Sequence, residues 1–201
     1  MNECVIYDFE TLNQNQQNGV VVSFAIICFS EKRYTEDPYT YEELLELCHY
    51  IKFDVEDQVK NWNRKICKNT LQWWNDQGAV AKKQLKPSKD DVSIDTLYDF
   101  IQDITDHKSK NNIKKAYTRG NTFDPVFLQY LMAQTSKPDP FHWGATRDTR
   151  SMIEGMSFGM NVTNSYIPGD LVSKFVKHDP RHDIAMDVMR MQYLARAILT
   201  A

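Results

Sequence analysis

Val5-Ile6-Tyr7-Asp8-Phe9-Glu10-Thr11 is an apolar run that closes on two carboxylates. In a β-strand residues i and i+2 project from the same face, so Asp8 and Glu10 point to one place. Like charges held a few ångströms apart repel and raise one pKa unless a cation neutralises them. Magnesium, a hard cation that takes oxygen ligands, is the expected one. Taken alone, the pair reads first as a strand end running into solvent, because Asp-x-Glu spacings are common by chance.

Two later segments change that reading. Asp179-Pro180 reads as an N-cap followed by the first helical residue, so a helix starts near Pro180 and continues through Met191 and Leu194. His182 falls in its first turn, and Asp187 lies five residues on, about 140° around the helix. The two side chains diverge yet can flank a common centre, which suits a base beside a metal ligand better than two ligands on one ion. By itself His182 is a surface histidine at a helix start. Asp187 is harder to dismiss, because it is embedded among Ile184, Met186, Val188, Met189 and Met191, where an unpaired carboxylate is costly. His178 and Asp183 repeat the same spacing. The later pair is preferred, because Pro180 places His178 before the helix.

In the middle of the chain, Lys114 to Gly120 reads as a short strand ending at glycine, and Phe123-Asp124-Pro125 opens a helix through Met132. Asp124 is in the first place a helix N-cap. A carboxylate at a helix start can also hold an ion, so the two roles are compatible.

Asp8-Phe9-Glu10-Thr11, Asn121-Thr122-Phe123-Asp124 and His182-Asp183-Ile184-Ala185-Met186-Asp187, in that order, resemble the three exonuclease motifs of the DEDDh family of 3'-5' exonucleases. Thr70 to Gln77, Arg119-Gly120-Asn121, Arg147 to Arg150 and His178 to Asp183 extend the likeness to a subgroup of phage exodeoxyribonucleases and mycobacterial-type 3'-5' exoribonucleases, and point to a phage protein. The resemblance implies an α/β, ribonuclease H-like fold: a mixed five-stranded sheet flanked by helices. It assigns Asp8, Glu10, Asp124 and Asp187 as metal ligands and His182 as general base, with two Mg²⁺ or Mn²⁺ ions per site. It places Thr11 and Leu12 against the terminal nucleotide, with Asn121 and Phe123 in the substrate-binding set. Position 183 is Asp, whereas the tyrosine subfamily has Tyr there. Ala185 stands three residues after His182, where many members have Ala two after.

The chemistry requires these residue types. Two divalent ions about 3.5 to 4 Å apart activate a water and stabilise the leaving 3'-oxygen. An imidazole of unperturbed pKa about 6.5 accepts the proton that the water loses. The expected activity is hydrolysis of single-stranded DNA from the 3' end to nucleoside 5'-monophosphates. The same site acting on RNA 3' ends is the alternative, since the two differ in how the 2'-hydroxyl is met. A catalytically silent nucleic-acid-binding protein is disfavoured, because all five expected site residues are present. Some relatives form homodimers, which leaves that assembly open.

Composition bounds the rest. With 201 residues, 42% of them hydrophobic, the chain buries one full core, read as a single domain over 1–201. Twenty-four Lys and Arg against 27 Asp and Glu give a net charge of -3, which argues against coating long nucleic acid by charge alone. Cys4, Cys28, Cys48 and Cys67 lack C-x-x-C pairing and read as reduced thiols of a cytosolic protein. Without a basic N-terminal region or a run approaching ~20 apolar residues, no membrane is expected, and the compartment is the cytoplasm, the host's if phage-encoded.

Strands are expected near Val5 to Phe9, Val20 to Phe29, Arg33 to Tyr34 and Lys115 to Thr118. Helices are expected over Leu71 to Lys82, Ile94 to His107, Val126 to Gln134, Thr149 to Met156, Leu171 to Lys177 and Arg181 to Leu199. Asn13 to Gly19 is a polar loop that follows the first motif, chiefly a solvated connection and alternatively a border of the cleft. Of Trp73 and Trp74, at most one is core; a stacking role for either is the lesser reading. Arg147, Asp148 and Arg150 read as a bridge fixing a helix, with phosphate contact the alternative. Lys82, Lys83, Lys86, Lys108, Lys110, Lys114 and Lys115 read as solvated surface before any phosphate track.

Overall fold

A computed structural model describes residues 3–106 and 113–200. The first strand, β1 (Cys4–Thr11), is buried at every position except Asp8, as a near-continuous apolar strand covered on both faces should be. It pairs antiparallel with β2 (Val21–Phe29), and β2 pairs antiparallel with β3 (Cys48–Lys52). On its other edge β1 runs parallel to β4 (Lys115–Thr118), which runs parallel to β5 (Thr146–Asp148). The order β3-β2-β1-β4-β5 makes a mixed five-stranded sheet, the expected fold class.

Helical segments fill the connections: α1 (Arg33–Glu36), α2 (Tyr41–Glu46), α3 (Val55–Lys60), α4 (Lys68–Asn75), α5 (Ala79–Lys82), α6 (Leu97–Ile104), α7 (Asp124–Gln134), α8 (Thr149–Met156) and α9 (Pro180–Thr200). The two-residue period of β1 divides its side chains between two apolar layers. Cys4 and Ile6 pack with Ile184, Ala185 and Val188 of α9. Val5, Tyr7 and Phe9 pack with Leu97 and Ile101 of α6 and Phe127 and Leu131 of α7. Asp8 and Glu10 continue the row of Cys4 and Ile6, so they lie on the α9 side of the sheet. A register shift falls between Glu10 and Thr11, a bulge at the end of that row.

Several local expectations are corrected. Arg33 and Tyr34 belong to a helical turn, and the third strand is Cys48–Lys52, a half-buried edge strand with little internal pattern. β5 is three residues long, too short for periodicity to reveal. The helix read over Leu71 to Lys82 divides at Gly78 into α4 and α5. Ile94–Thr96 is a 3₁₀ turn ahead of α6, and Leu171 to Lys177 reduces to a 3₁₀ turn at Gly169–Leu171. His107, Lys108 and Lys110 lie outside the described residues. The start of α9 at Pro180 agrees with expectation: Asp179 Oδ1 accepts from the Arg181 N–H at 3.1 Å. Among the described residues no helix is long and apolar enough to cross a membrane.

Trp74 is the core member of its pair, fully buried with Nε1 donating to the Thr11 carbonyl at 2.9 Å, whereas Trp73 is 43% exposed. The Asn13 to Gly19 loop is more than a solvated connection, because Gln16 Nε2 reaches the Thr122 carbonyl at 3.2 Å. Its last residue has no room for a side chain. A Cβ on Gly19 would lie 2.6 Å from the Asn15 carbonyl oxygen and 2.9 Å from Asn13 Cβ. Buried Arg64 donates to the Gly19 carbonyl and holds that backbone in place. Gly19→Ala should therefore cost about 1–3 kcal/mol. Each kcal/mol lowers the thermal midpoint by about 2–4 °C in a chain of this size. An unchanged melting curve would show that the loop relaxes freely.

Candidate active site

β1 outruns its parallel neighbour, since the pairing with β4 ends at Ile6. The N–H of Phe9 therefore has no strand partner there and donates to Asp124 Oδ1 at 3.1 Å. Asp124 is the first residue of α7 and nearly fully buried, and the cap position falls to Phe123. Its carboxylate serves β1 rather than capping its own helix. From the opposite side, α9 presents Asp183 in its first turn, and Asp183 Oδ2 accepts from the backbone N–H of His178 at 3.0 Å. Candidate ligand atoms of Glu10, His178 and Asp183 lie within 4.8 Å of one another. Asp8, Glu10, Asp124, Asp183 and His178 line one open cleft of about 450 Å³.

The electrostatics of that cleft are unfavourable to bare charge. Burial, then the neighbouring Asp124, Glu10 and Asp183, push the Asp8 carboxyl well above its usual range. Burial, then Asp183 and Asp124, do the same to Glu10. Burial pushes Asp124 up to about 7 against the opposing N–H of Phe9, and burial with Asp187 pushes Asp183 up to about 7. Among the described residues no lysine or arginine pairs with any of these four carboxylates. Hard oxygen donors crowded without an ion-pair partner among the described residues, beside one imidazole, are a donor set that fits divalent magnesium or manganese.

Asp187 lines the same cleft but has a different environment. It follows Asp183 by one helical turn, its side chain is 2% exposed, and its charge is already balanced. Oδ1 accepts from Arg119 Nη1 at 2.7 Å and Arg190 Nη1 at 2.6 Å, and Oδ2 accepts from the Thr149 hydroxyl. His182 faces α2, with Nδ1 2.8 Å from the Tyr41 hydroxyl, and is not part of the cleft wall. Of the pair chosen from sequence, His182 lies outside the cleft wall, whereas Asp187 lines it with its charge already taken up by Arg119 and Arg190. Both members of the pair set aside, His178 and Asp183, line the cleft. Lying before the helix, the reason for setting His178 aside, is what lets it fold back over Glu10. The repeated spacing was the signal.

The substrate-facing expectations divide. Thr11 and Phe123 line a second cavity of about 490 Å³ that shares Phe9, Glu10 and Phe123 with the first. Leu12 turns away and packs with Val20, Val22 and Trp74. Asn121 is exposed and its neighbours Gly120 and Thr122 line the cleft instead. Arg119, Arg150 and Lys177, of which the sequence reading weighed only Arg150 as a phosphate contact, add cationic groups to the cleft wall. Asp148 caps α8 through the Arg150 N–H at 2.9 Å, without the expected Arg-Asp bridge to Arg147 or Arg150 among the described residues.

These two aspartates of α9 should respond oppositely to neutralisation. Asp187→Asn leaves two guanidinium groups short of a counter-charge and should cost about 3–5 kcal/mol. Asp183→Asn relieves repulsion and should leave the melting point of metal-free protein equal or higher. A destabilised Asp183→Asn would contradict the crowding. The pH dependence has a definite sign. Asp124 and Asp183 titrate near 7 when folded and near the ordinary 3.8 when unfolded. Between those values the folded chain holds more protons, so its stability falls as pH rises through that window. In chelator the melting point should drop between about pH 4 and pH 7 and level off above, and Mg²⁺ should recover it at the upper end; a flat profile would count against the charge cluster.

Comparison with known proteins places the chain in a family. The family profile described as "3'-5' exoribonuclease Rv2179c-like domain" matches residues 3–193. An exodeoxyribonuclease of Enterobacteria phage T4 is 30% identical over 205 residues, covering 95% of this chain and 88% of the relative. In fold, the chain resembles the zinc-bound E. coli ExoI–ssDNA complex at 13% identity and a TM-score of 0.55, covering 98% of this chain but 40% of that one. It also resembles the nuclease domain of 3'hExo, a DEDDh family member bound to rAMP, at 11% identity and a TM-score of 0.54, covering 98% and 91% of the two chains. With almost its whole length matched, the chain belongs to the Rv2179c-like 3'-5' exoribonuclease domain family and is a 3'-5' exonuclease.

Proposed function

We propose that this exonuclease removes nucleoside 5'-monophosphates from the 3' end of single-stranded DNA, with Asp8, Glu10, Asp124 and Asp183 holding two Mg²⁺ or Mn²⁺ ions and His178 as general base. The observation that carries this reading is the convergence of four unpaired carboxylates and one histidine in a single cleft. Bound divalent ions would supply Lewis acidity at the scissile phosphate and acidify the attacking water. Asp8, Glu10, Asp124 and Asp183 would hold them, and the bound charge would offset the repulsion among these carboxylates. His178 would accept the proton of the attacking water at a ring nitrogen. Burial and then Lys177 hold the imidazole below its usual pKa, so it is neutral and able to accept near neutral pH.

The remaining groups orient the strand. Arg150 and Lys177, at the cleft wall, face the phosphates. Phe123, half-buried with its ring 5.0 Å from that of Phe127, offers a face to the terminal base, a contact worth about 1–3 kcal/mol. Thr11 lines the adjoining cavity. DNA is preferred because the T4 relative is an exodeoxyribonuclease at 30% identity. RNA is the second reading, favoured by the description of the family. We propose further that residues 1–201 act as one domain, and that the host cytoplasm is the compartment, as for a phage nuclease.

The test is a time course on matched 5'-labelled DNA and RNA oligonucleotides with Mg²⁺ or Mn²⁺. Ladders should shorten from the 3' end, faster on DNA. Asp8→Ala and Asp183→Ala should abolish turnover, and His178→Ala should lower it about 10²–10⁴-fold. His182→Ala should stay within a few-fold of wild type. Calorimetric Mn²⁺ binding separates the roles of His178: retained affinity with lost turnover marks a base, and lost affinity marks a ligand. Activity surviving in Asp8→Ala would sink the assignment.

A further inference from the structure

His178 has φ of +62°, in the left-handed region that is uncommon for any residue but glycine. Such a conformation persists only where the surroundings over-determine it. Two side chains from the segment between β3 and α6 do so, besides the Asp183 carboxylate that accepts the His178 N–H at 3.0 Å. Gln84, buried, donates from Nε2 to the His178 carbonyl at 2.7 Å, and its Oε1 accepts from the Ser23 hydroxyl at 3.4 Å. Trp73 sets its ring edge-on to the imidazole, with centroids 4.7 Å apart at 75°. Behind it, 5.2 Å away, stands Trp74, fully buried and tied by its indole N–H to the Thr11 carbonyl.

Both chains of contact return to one place on the sheet. Ser23 is the β2 partner of Glu10 in the strand register, and Thr11 follows Glu10 on β1. The position of the imidazole is therefore referenced to the Glu10 carboxylate from two directions, through the backbone by Gln84 and through the ring by Trp73. None of the three motifs that carried the sequence reading contains either residue.

We infer that Trp73 and Gln84 are positioning residues that hold His178 over Glu10 and so set the rate of the chemical step. This rests on the reading of His178 as the group that takes the proton. Misplacing a reacting group by about 1 Å can cost on the order of 10²-fold in rate. Trp73 is 43% exposed, so its truncation leaves the core intact.

The experiment is a pair of double-mutant cycles in kcat on the single-stranded substrate, combining Trp73→Ala and Gln84→Met with His178→Ala. Each single variant should lower kcat by about 10- to 100-fold with KM within about twofold. Trp73→Phe, which keeps an aromatic edge, should recover most of the loss. In the His178→Ala background neither change should lower kcat further, because both act through that ring. Losses that add to that of His178→Ala, a rise in KM at unchanged kcat, or a fall in kcat that tracks a fall in the folded fraction would each overturn the proposal. If His178→Ala itself turns over like wild type, the assignment of the base falls. If it is inactive while Trp73→Ala and Gln84→Met keep full kcat, the positioning role alone falls.

Discussion

The two-residue alternation of a strand buried on both faces governs this molecule. β1 is enclosed by apolar layers, and its side chains have two directions to take. Val5, Tyr7 and Phe9 fill the side of α6 and α7, and Cys4 and Ile6 fill the side of α9. Asp8 and Glu10 have the second direction imposed on them, beneath the first turn of α9. A one-residue slip would exchange the two faces and send both carboxylates into the aromatic layer around Phe24 and Phe127. The apolar packing that stabilises the fold is thus what makes the charge cluster unavoidable.

That cluster is tolerated because the sheet is open at this point. β4 stops short of Phe9, and the N–H left without a strand partner is satisfied by Asp124, which brings the third carboxylate to the site as part of the hydrogen-bonding of β1 itself. Asp183 arrives from α9. The carboxylates repel one another at a cost that burial raises, and among the described residues no basic side chain forms an ion pair with Asp8, Glu10, Asp124 or Asp183. One turn along the same helix, Asp187 shows the other solution to buried charge, saturated by Arg119, Arg190 and Thr149. Two aspartates four residues apart on one helix thus have opposite roles: one binds the helix to its surroundings, the other is left with coordination capacity.

Much of the architecture was legible in local pattern. The strand before Asp8, the glycine-terminated strand before Asp124 and the helix opening at Pro180 each carry a signal within a few residues. β3 and β5 do not. β3 is an edge strand whose order comes from pairing with β2, and β5 has three residues that only β4 makes into a strand. Gly78 interrupts a helical pattern that looks continuous in sequence, and packing decides that the interruption counts.

That Asp8 and Glu10 share one face was determined by the sequence itself, because strand alternation acts over two residues and is written directly in residue order; the mixed α/β fold and the exonuclease family were legible through the resemblance of three motifs in order, Asp124 among them. The choice between His178 with Asp183 and His182 with Asp187 was decided only by the tertiary structure. Both pairs have the same spacing, and the one local difference, that His178 precedes the helix, pointed to the other pair. What separates them is non-local: Arg119 and Thr149 are brought to Asp187 by β4 and α8, Tyr41 is brought to His182 by α2, and Gln84 and Trp73 hold His178 over the strand that carries Glu10. Charge compensation between segments far apart in the chain leaves one histidine and one aspartate available for chemistry, and that requires the folded arrangement.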